Sequence, residues 1–296
     1  GFVFAGSAQQ QGQPTHYVFK FSRITLPTHL QERLEEEAFM LDQVSHPLIP
    51  GLIAYQRVRG QSILVMERAP GWNLEQVSLR QGRLSPRLVV HIAAQLAEIL
   101  VTLRRETGPH ARPVVHGDIK PSNLIVMPSG QVKLVDLGLA RLMEQPGGED
   151  ANRITQEGLV IGTPDFLAPE QARNPMAVDI RADIYALGGT LYYILTGKVP
   201  FEGGTPTEKL LKHCTDPPPS LLLQRRDAPP QIEQIIHWCM AKRPEDRYQT
   251  ANELVAELEV WKSPAATRAR TSRWPASTKA LRTCKTSRKA WCSRAP

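Results

Sequence analysis

The sequence of 296 residues lacks the features that define several classes of protein. It has four cysteines and no C-x-x-C pair, so neither a zinc site nor a disulfide framework is indicated, and a reducing compartment is expected. No uninterrupted apolar run is long enough to cross a bilayer, and the start has neither a signal-peptide pattern nor an initiator Met. We therefore expect a cytoplasmic chain without a membrane segment. A longer form of the protein could be anchored to a membrane through another segment.

Acidic residues are absent from residues 263–296, where nine Lys or Arg stand among Ser, Thr, Ala and Pro. The other 262 residues hold 27 basic and 29 acidic side chains, so they carry a net charge of −2 and the overall +7 comes from the tail. Nucleic-acid binding by the folded part is therefore not supported. A tail of this composition cannot bury a core, which predicts a folded domain over residues 1–262 and a basic, disordered segment over 263–296.

The most informative stretch is residues 115–123, Val-His-Gly-Asp-Ile-Lys-Pro-Ser-Asn. Asp118 can accept a proton from a hydroxyl, and Lys120 can neutralise phosphate charge. Asn123 can offer an oxygen to a hard cation, and Asp136 follows in a short strand that ends in Asp-x-Gly. A base, a charge clamp and two metal ligands are the parts of a phosphoryl-transfer site.

This set resembles the protein kinase family, whose Ser/Thr branch has the catalytic loop H-R-D-x-K-P-x-N. Here the loop reads His-Gly-Asp-Ile-Lys-Pro-Ser-Asn over residues 116–123, with Gly117 in the Arg position. The family's D-F-G is similar to residues 136–138, and its A-P-E to residues 168–170. The resemblance, which is greatest to bacterial eukaryotic-type Ser/Thr kinases, implies an α+β, two-lobed fold. A small antiparallel sheet with one helix would precede a larger, mainly helical lobe.

In the first lobe, about residues 1–66, the resemblance implies most of a nucleotide site. Gly1-Phe2-Val3 fits the last positions of the family's Gly-rich loop, so the catalytic domain would be truncated at its N-terminus, inside that loop. The strand that ends at Lys20 would supply the amine that contacts phosphate. Glu37 is its expected partner, with Glu36 as the alternative register. The apolar face of the helix that carries them is marked by Leu30, Leu34, Phe39 and Leu41.

The segment between the lobes would bind the adenosine. Met66 ends a buried-looking strand and matches the gatekeeper, and the backbones of Glu67 and Ala69 would bond the adenine. Asn73 lies where the family often has a polar contact to ribose. The full set of expected cofactor-binding residues is Gly1, Val3, Val18, Lys20, Glu37, Met66, Glu67, Ala69, Asn73, Ile125 and Asp136.

In the second lobe, about residues 71–262, the resemblance implies roles for four further residues. Thr163 would bond Asp118 and Lys120 and help to aim the acceptor hydroxyl. Asp183, an acid inside an apolar helix pattern, would hold the backbone of the catalytic loop. Arg247 would pair with Glu170 and serve the architecture rather than the chemistry.

The implied reaction is transfer of the ATP γ-phosphoryl group to Ser or Thr hydroxyls of a protein substrate, with Mg²⁺, or Mn²⁺, at Asn123 and Asp136. One alternative is a small-molecule phosphotransferase of the aminoglycoside-kinase type, whose catalytic loop also begins His-Gly-Asp. Lys120 and the segment over residues 162–170 argue against it. A pseudokinase scaffold is a second alternative, but the residues it usually loses are present here. The oligomeric state is left open.

Overall fold

The computed structural model describes residues 2–10, 13–22, 28–104, 113–138, 140–142, 164–174 and 178–262. These residues belong to one compact unit, residues 1–262. Two residues of the predicted site, Gly1 and Thr163, lie outside the described residues, as does the basic tail.

Strands and helices follow one another in an order that separates a strand-rich first part from a helical second part. The strands are Phe2–Gln10 (β1), Gln13–Phe21 (β2), Leu52–Val58 (β3), Gln61–Glu67 (β4), Trp72–Asn73 (β5), Val114–Val115 (β6), Leu124–Val126 (β7), Val132–Leu134 (β8) and Arg141–Leu142 (β9). The helices are Thr28–Gln43 (α1), Leu74–Gln81 (α2), Pro86–Arg104 (α3), Pro169–Arg173 (α4), Ile180–Thr196 (α5), Pro206–Thr215 (α6), Leu221–Gln224 (α7), Pro230–Cys239 (α8) and Ala251–Lys262 (α9). Short 3-10 turns occupy Pro121–Asn123 and Pro244–Asp246.

The first part is an antiparallel sheet with the strand order β1-β2-β4-β3, covered by α1. Strand β4 shows why this sequence forms a sheet with one covered face, since Ser62, Leu64 and Met66 are buried at alternate positions. Lys20 of β2 pairs with Val3 of β1 on one side and with Leu64 of β4 on the other. The lysine is thus held in the middle of the sheet.

Helix α1 buries part of the apolar face that the sequence predicted, since Leu41 is buried and Leu34 packs against the core, but Phe39 departs from it. Phe39 was expected on the apolar face, but half of its surface is exposed. The buried stripe runs through Glu37, Leu41 and Val44, at steps of four and three residues. Phe39 lies two positions from Glu37 and therefore points away from this stripe. A carboxylate on the buried face, rather than an aromatic ring, is what the helix brings to the sheet.

The second part is built around α5, which is buried over most of its length. Its N-cap is Asp179, whose side chain accepts a hydrogen bond from Arg181 N, and it ends at Gly197 in the left-handed conformation, with φ of 75°. A Cβ on Gly188 would lie 2.6 Å from the Cβ of Cys239, so the glycine allows α8 to pack closely on α5.

Helix α3 lies beside α5 and α9. Within the described residues it is the one helix long and apolar enough, by length and composition, to cross a membrane. Ten of its residues are buried within the fold, as expected for a core helix of the domain.

Two small sheets connect these parts and present the loop that carries Asp118. One has the order β5-β7-β8, and the other pairs β6 with β9. Leu134 N donates to Leu48 O at 2.8 Å, which ties β8 to the segment that follows α1. The predicted architecture, an antiparallel sheet with one helix followed by a larger helical region, is confirmed.

Candidate active site

The loop over residues 116–120 is held from below by Asp183 of α5. Its Oδ2 accepts a hydrogen bond from His116 N and its Oδ1 one from Gly117 N, each at 2.8 Å. The aspartate is fully buried, and a buried carboxylate is tolerated only when it is hydrogen-bonded in this way. The sequence predicted this contact, and the structure confirms it.

Three polar side chains of the loop and the following turn converge. Lys120 Nζ lies 2.7 Å from Asp118 Oδ2. Asn123 Nδ2 donates to the same Oδ2 at 3.1 Å and to the Asp118 carbonyl at 2.9 Å. Because its amino group is committed to Asp118, Asn123 keeps its Oδ1 as an acceptor. The carboxylate of Asp118 is thus oriented by an amine and an amide.

His116 contributes to this geometry in a way that the sequence did not reveal. Its Nδ1 accepts a hydrogen bond from Asp118 N at 3.2 Å. The ring is fully buried, and burial lowers its pKa, although Asp118 and Asp136 oppose this. The imidazole is therefore neutral at physiological pH and can act as an acceptor for the Asp118 amide.

A second cluster joins the sheet to α1 and to the segment after β8. Lys20 Nζ lies 2.5 Å from Glu37 Oε1 and 2.7 Å from Asp136 Oδ1. The ion pair is therefore made by Glu37 and not by Glu36, which lies on the exposed side of the helix. Val135 N donates to Asn123 O at 2.9 Å, which brings Asp136 next to the first cluster.

Burial and charge compete in this second cluster. Burial alone would lower the pKa of Lys20, but the two carboxylates raise it above its usual value. For Glu37 burial dominates and raises the pKa, against the opposing effect of Lys20. For Asp136 burial also acts to raise the pKa, but the ammonium of Lys20 outweighs it and holds the pKa below its usual value. Lys20 is therefore a stable cation between two acids.

The other residues expected to contact a nucleotide fall into two neighbouring pairs. Val18 pairs with Met66 in the first sheet, where Met66 is buried and Val18 packs against the core. Asn73 pairs with Ile125 in the sheet of β5, β7 and β8. The segment from Glu67 onward, including the half-buried Ala69, links the two sheets. Val3, on β1 beside Lys20, is 64% exposed.

Two of these residues have contacts that the sequence did not predict. Asn73 is the N-cap of α2, since its Oδ1 accepts from Gln76 N at 2.7 Å, and Gln76 Oε1 accepts from Asn73 N. The Oδ1 of Asn73 therefore serves the helix, whereas the sequence indicated a ribose contact. The Glu67 side chain accepts from Gly51 N at 3.2 Å and from Lys133 Nζ at 3.3 Å, which connects the start of β3 to β8.

The segment Pro164–Glu170 is anchored at both ends. Lys209 Nζ lies 2.6 Å from Asp165 Oδ1, and Arg247 NH1 lies 2.6 Å from Glu170 Oε1. The second pair was predicted from the sequence and is present as a two-pronged contact, with NH2 to Oε2 at 2.7 Å.

The donor set suits a hard cation with oxygen ligands. The Asp136 carboxylate is 46% exposed, and Asn123 retains an acceptor oxygen. Within the described residues no group of three or more His, Cys, Asp or Glu could hold a metal ion, so a cation here would need further oxygens from a ligand or from water.

Comparison with known proteins shows which family this chain is similar to. A family model described as a protein kinase domain matches residues 2–258. A protein of Corynebacterium efficiens, named as a probable serine/threonine-protein kinase, is 33% identical over 276 residues, which cover 90% of this chain and 40% of that protein. The serine/threonine-protein kinase PknB of Mycolicibacterium smegmatis is 35% identical over 195 residues, 66% of this chain and 29% of the relative.

The serine/threonine-protein kinase pkn3 of Myxococcus xanthus is 33% identical over 234 residues, 77% of this chain and 41% of the relative. The chain thus spans well under half the length of these curated relatives.

Proposed function

Since this chain belongs to the protein kinase family, we propose that it transfers the γ-phosphoryl group of ATP to Ser and Thr hydroxyls of proteins. The observation that carries the proposal is the joint presence of two clusters. Asp118 is held by Lys120 and Asn123, and Lys20 is held between Glu37 and Asp136. These groups are the base, the phosphate-contacting amine and the acids that phosphoryl transfer uses, and their convergence supports the proposal.

In this proposal Asp118 accepts the proton of the acceptor hydroxyl. Its carboxylate is oriented by Asn123, and Lys120, 2.7 Å away, stabilises the charge that develops on the transferred group. Thr163, outside the described residues, would help to aim the hydroxyl. Asp183 and His116 support the loop from beneath, so that the reacting groups move little.

Lys20 is proposed to orient the phosphates, with Glu37 holding the amine in place. The family implies ATP and a divalent metal, and we propose Mg²⁺, with Mn²⁺ as the alternative, at Asn123 and Asp136. When bound, the metal neutralises phosphate charge. Because Asp136 also contacts Lys20, the two sides of the phosphate site are coupled before any nucleotide arrives.

The proposed adenosine site lies where the two sheets meet. Val18, Met66 and Ile125 would supply apolar contact, and the backbones of Glu67 and Ala69 would bond the adenine. Gly1 and Val3 would contribute to the cover over the phosphates. Asn73 would contact the ribose through atoms other than the oxygen that caps α2.

We further propose that residues 1–262 act as the catalytic domain, in a cytoplasmic location, on protein acceptors. The net charge of this part is close to neutral, which does not favour nucleic acid as a partner. The protein acceptor would lie along the segment Pro164–Glu170, which Arg247 and Lys209 anchor.

Incubation with radiolabelled ATP and Mg²⁺ tests the proposal, with a mixture of generic protein acceptors in one arm and aminoglycosides in the other. We expect label on protein Ser and Thr only. Label on the aminoglycoside alone would support a small-molecule phosphotransferase, and no transfer in either arm would support a scaffold without activity. Either result would overturn the proposal.

A further inference from the structure

The side chain of Gln171 joins two parts of the site that are 54 residues apart in the chain. Its Nε2 donates to the carbonyl of Gly117 at 2.8 Å, and its Oε1 accepts from Ala168 N at 2.9 Å. Ala168 belongs to the segment over residues 164–170 that is proposed to bind the acceptor protein, called the acceptor segment below. Gly117 directly precedes Asp118. One amide group therefore touches the acceptor segment and the catalytic loop together.

The bond to Gly117 acts on the peptide unit that leads into Asp118. The carbonyl of Gly117 and the N–H of Asp118 belong to the same planar unit. Gln171 holds its oxygen, and His116 Nδ1 accepts from its N–H at 3.2 Å. On the other side of Gly117, the N–H donates to Asp183. The backbone on both sides of Gly117 is thus fixed by side chains.

The conformation of Gly117 makes this support consequential. Its φ is 75°, in the left-handed region. Glycine has no Cβ, so steric contacts restrict its backbone dihedral angles less than those of other residues. The loop therefore depends on hydrogen bonds, rather than on a side chain at this position, to choose one orientation of the peptide. Rotation of that peptide would move the Asp118 carboxylate relative to an acceptor hydroxyl.

We propose that Gln171 is a positioning residue for phosphoryl transfer, which couples the acceptor segment to the orientation of Asp118. The inference rests on the proposed kinase function and deepens it. The bridge from Ala168 N to the Gly117 carbonyl needs an acceptor and a donor on the same short planar group, which an amide supplies. A glutamate at this position offers acceptors only, and a methionine neither donates nor accepts strongly.

Two substitutions separate the two bonds. Gln171→Glu keeps an acceptor for Ala168 N but loses the donor to Gly117 and places a carboxylate against its carbonyl. Gln171→Met loses both bonds at nearly the same size. The matched control is Gln95→Met, because Gln95 bridges backbone atoms in the same way, accepting from Val132 N at 2.9 Å and donating to Gly130 O at 3.3 Å.

The measurements are kcat, the KM for ATP and the thermal midpoint of each variant on one protein acceptor that the wild type phosphorylates. We expect both Gln171 variants to lose about tenfold or more in kcat, because small displacements of a reacting group are costly. Their KM for ATP should stay within about twofold, since the nucleotide contacts are elsewhere. Gln95→Met should keep its kcat within about twofold.

A purely structural role for Gln171 predicts a different pattern. Gln171→Glu, which keeps the bond at the start of α4, would then retain the wild-type kcat, and that result would overturn the inference. A Gln171→Glu protein that fails to fold, or a Gln95→Met protein that loses as much kcat, would also overturn it. An inactive wild type would refute the proposed function itself, so the two failures are distinguishable.

Discussion

Arg247 and Glu170 form two parallel hydrogen bonds, NH1 to Oε1 at 2.6 Å and NH2 to Oε2 at 2.7 Å. The arginine side chain is completely buried and the glutamate is 12% exposed. The guanidinium also donates to the carbonyls of Ala241 and Arg181. A planar group with five donors suits this arrangement, which fixes the end of the segment over residues 164–170 to the helical part of the domain.

Replacing Arg247 by Ala should therefore destabilise the domain strongly. The change leaves the Glu170 carboxylate poorly solvated and without its cation, and breaking a buried pair from one side costs about 3–5 kcal/mol. Equilibrium unfolding in urea measures the loss.

The control for this prediction is Arg243→Ala. Arg243 is 70% exposed and pairs with Glu245 at the surface, so its loss should leave the unfolding midpoint almost unchanged. Equal midpoints for wild type and Arg247→Ala would contradict the prediction.

Asp118→Asn should abolish phosphoryl transfer while ATP still binds. The substitution preserves the size of the side chain and its contact with Asn123, but it removes the group proposed to accept the proton. General-base catalysis contributes on the order of 10²- to 10⁴-fold in rate. Single-turnover transfer and calorimetric titration with MgATP measure the two effects separately.

In the same experiments, full transfer activity of the Asp118→Asn protein would refute the kinase assignment. Loss of ATP affinity together with activity would instead indicate that Asp118 supports the nucleotide site.

Local sequence was sufficient to predict which side chains meet in the candidate site. Motif spacing identified Asp118, Asn123 and Asp136, and an acid within an apolar helix identified Asp183 as a support for the loop. These residues converge as expected because they lie in short segments whose own conformation sets their geometry, and their chemical roles stay predictions.

Contacts that depend on packing between distant segments were not predictable in this way. The Gln171 bridge to Gly117 spans 54 residues and depends on one side-chain conformation. Phe39, expected on the apolar face of α1 with Leu41, is half exposed, because it lies two positions from Glu37, which faces Lys20. The side-chain oxygen of Asn73 caps α2, a contact that the sequence did not reveal, and its contact with ribose stays a prediction. In each case the arrangement depends on a tertiary or local contact that residue type alone does not indicate.

The stability of the domain should fall as the solution becomes acidic, in part through His213. Burial, and then the nearby Lys242, lower the pKa of this imidazole to about 4, against 6.5 for an unperturbed group. Tyr185 OH lies 2.8 Å from Nδ1, and the ring packs against Phe201. Because the folded value is lower, the unfolded chain takes up the proton first as the pH falls. The free energy of unfolding therefore declines from about pH 6.5 to about pH 4, by on the order of 3 kcal/mol.

Urea unfolding of the wild type and of His213→Gln at a series of pH values measures this contribution. The absolute stability of the variant is not the readout, since Gln at a buried site has its own cost. The slope of stability against pH should be shallower in His213→Gln than in the wild type. His91→Gln, at an exposed position of α3, is the matched control for replacing a histidine by glutamine. Identical slopes for wild type and His213→Gln would show that His213 is not responsible.

Glu37→Gln should weaken the use of ATP without weakening the fold. Lys20 would then keep Asp136 as its charged partner among the described contacts, 2.7 Å away, and would be drawn from the position in which Glu37 holds it. A hydrogen bond to a charged group contributes about 1.5–3 kcal/mol. The value of kcat/KM for ATP should therefore fall about tenfold or more. The amide keeps an oxygen that can accept a hydrogen bond from Lys20, so the unfolding midpoint should change little. Glu36→Gln is the matched control, because it makes the same chemical change at the neighbouring position on the exposed side of α1. It should retain the wild-type kcat/KM. Equal losses of activity in the two variants would mean that the charge of the helix, rather than the contact between Glu37 and Lys20, controls the nucleotide site.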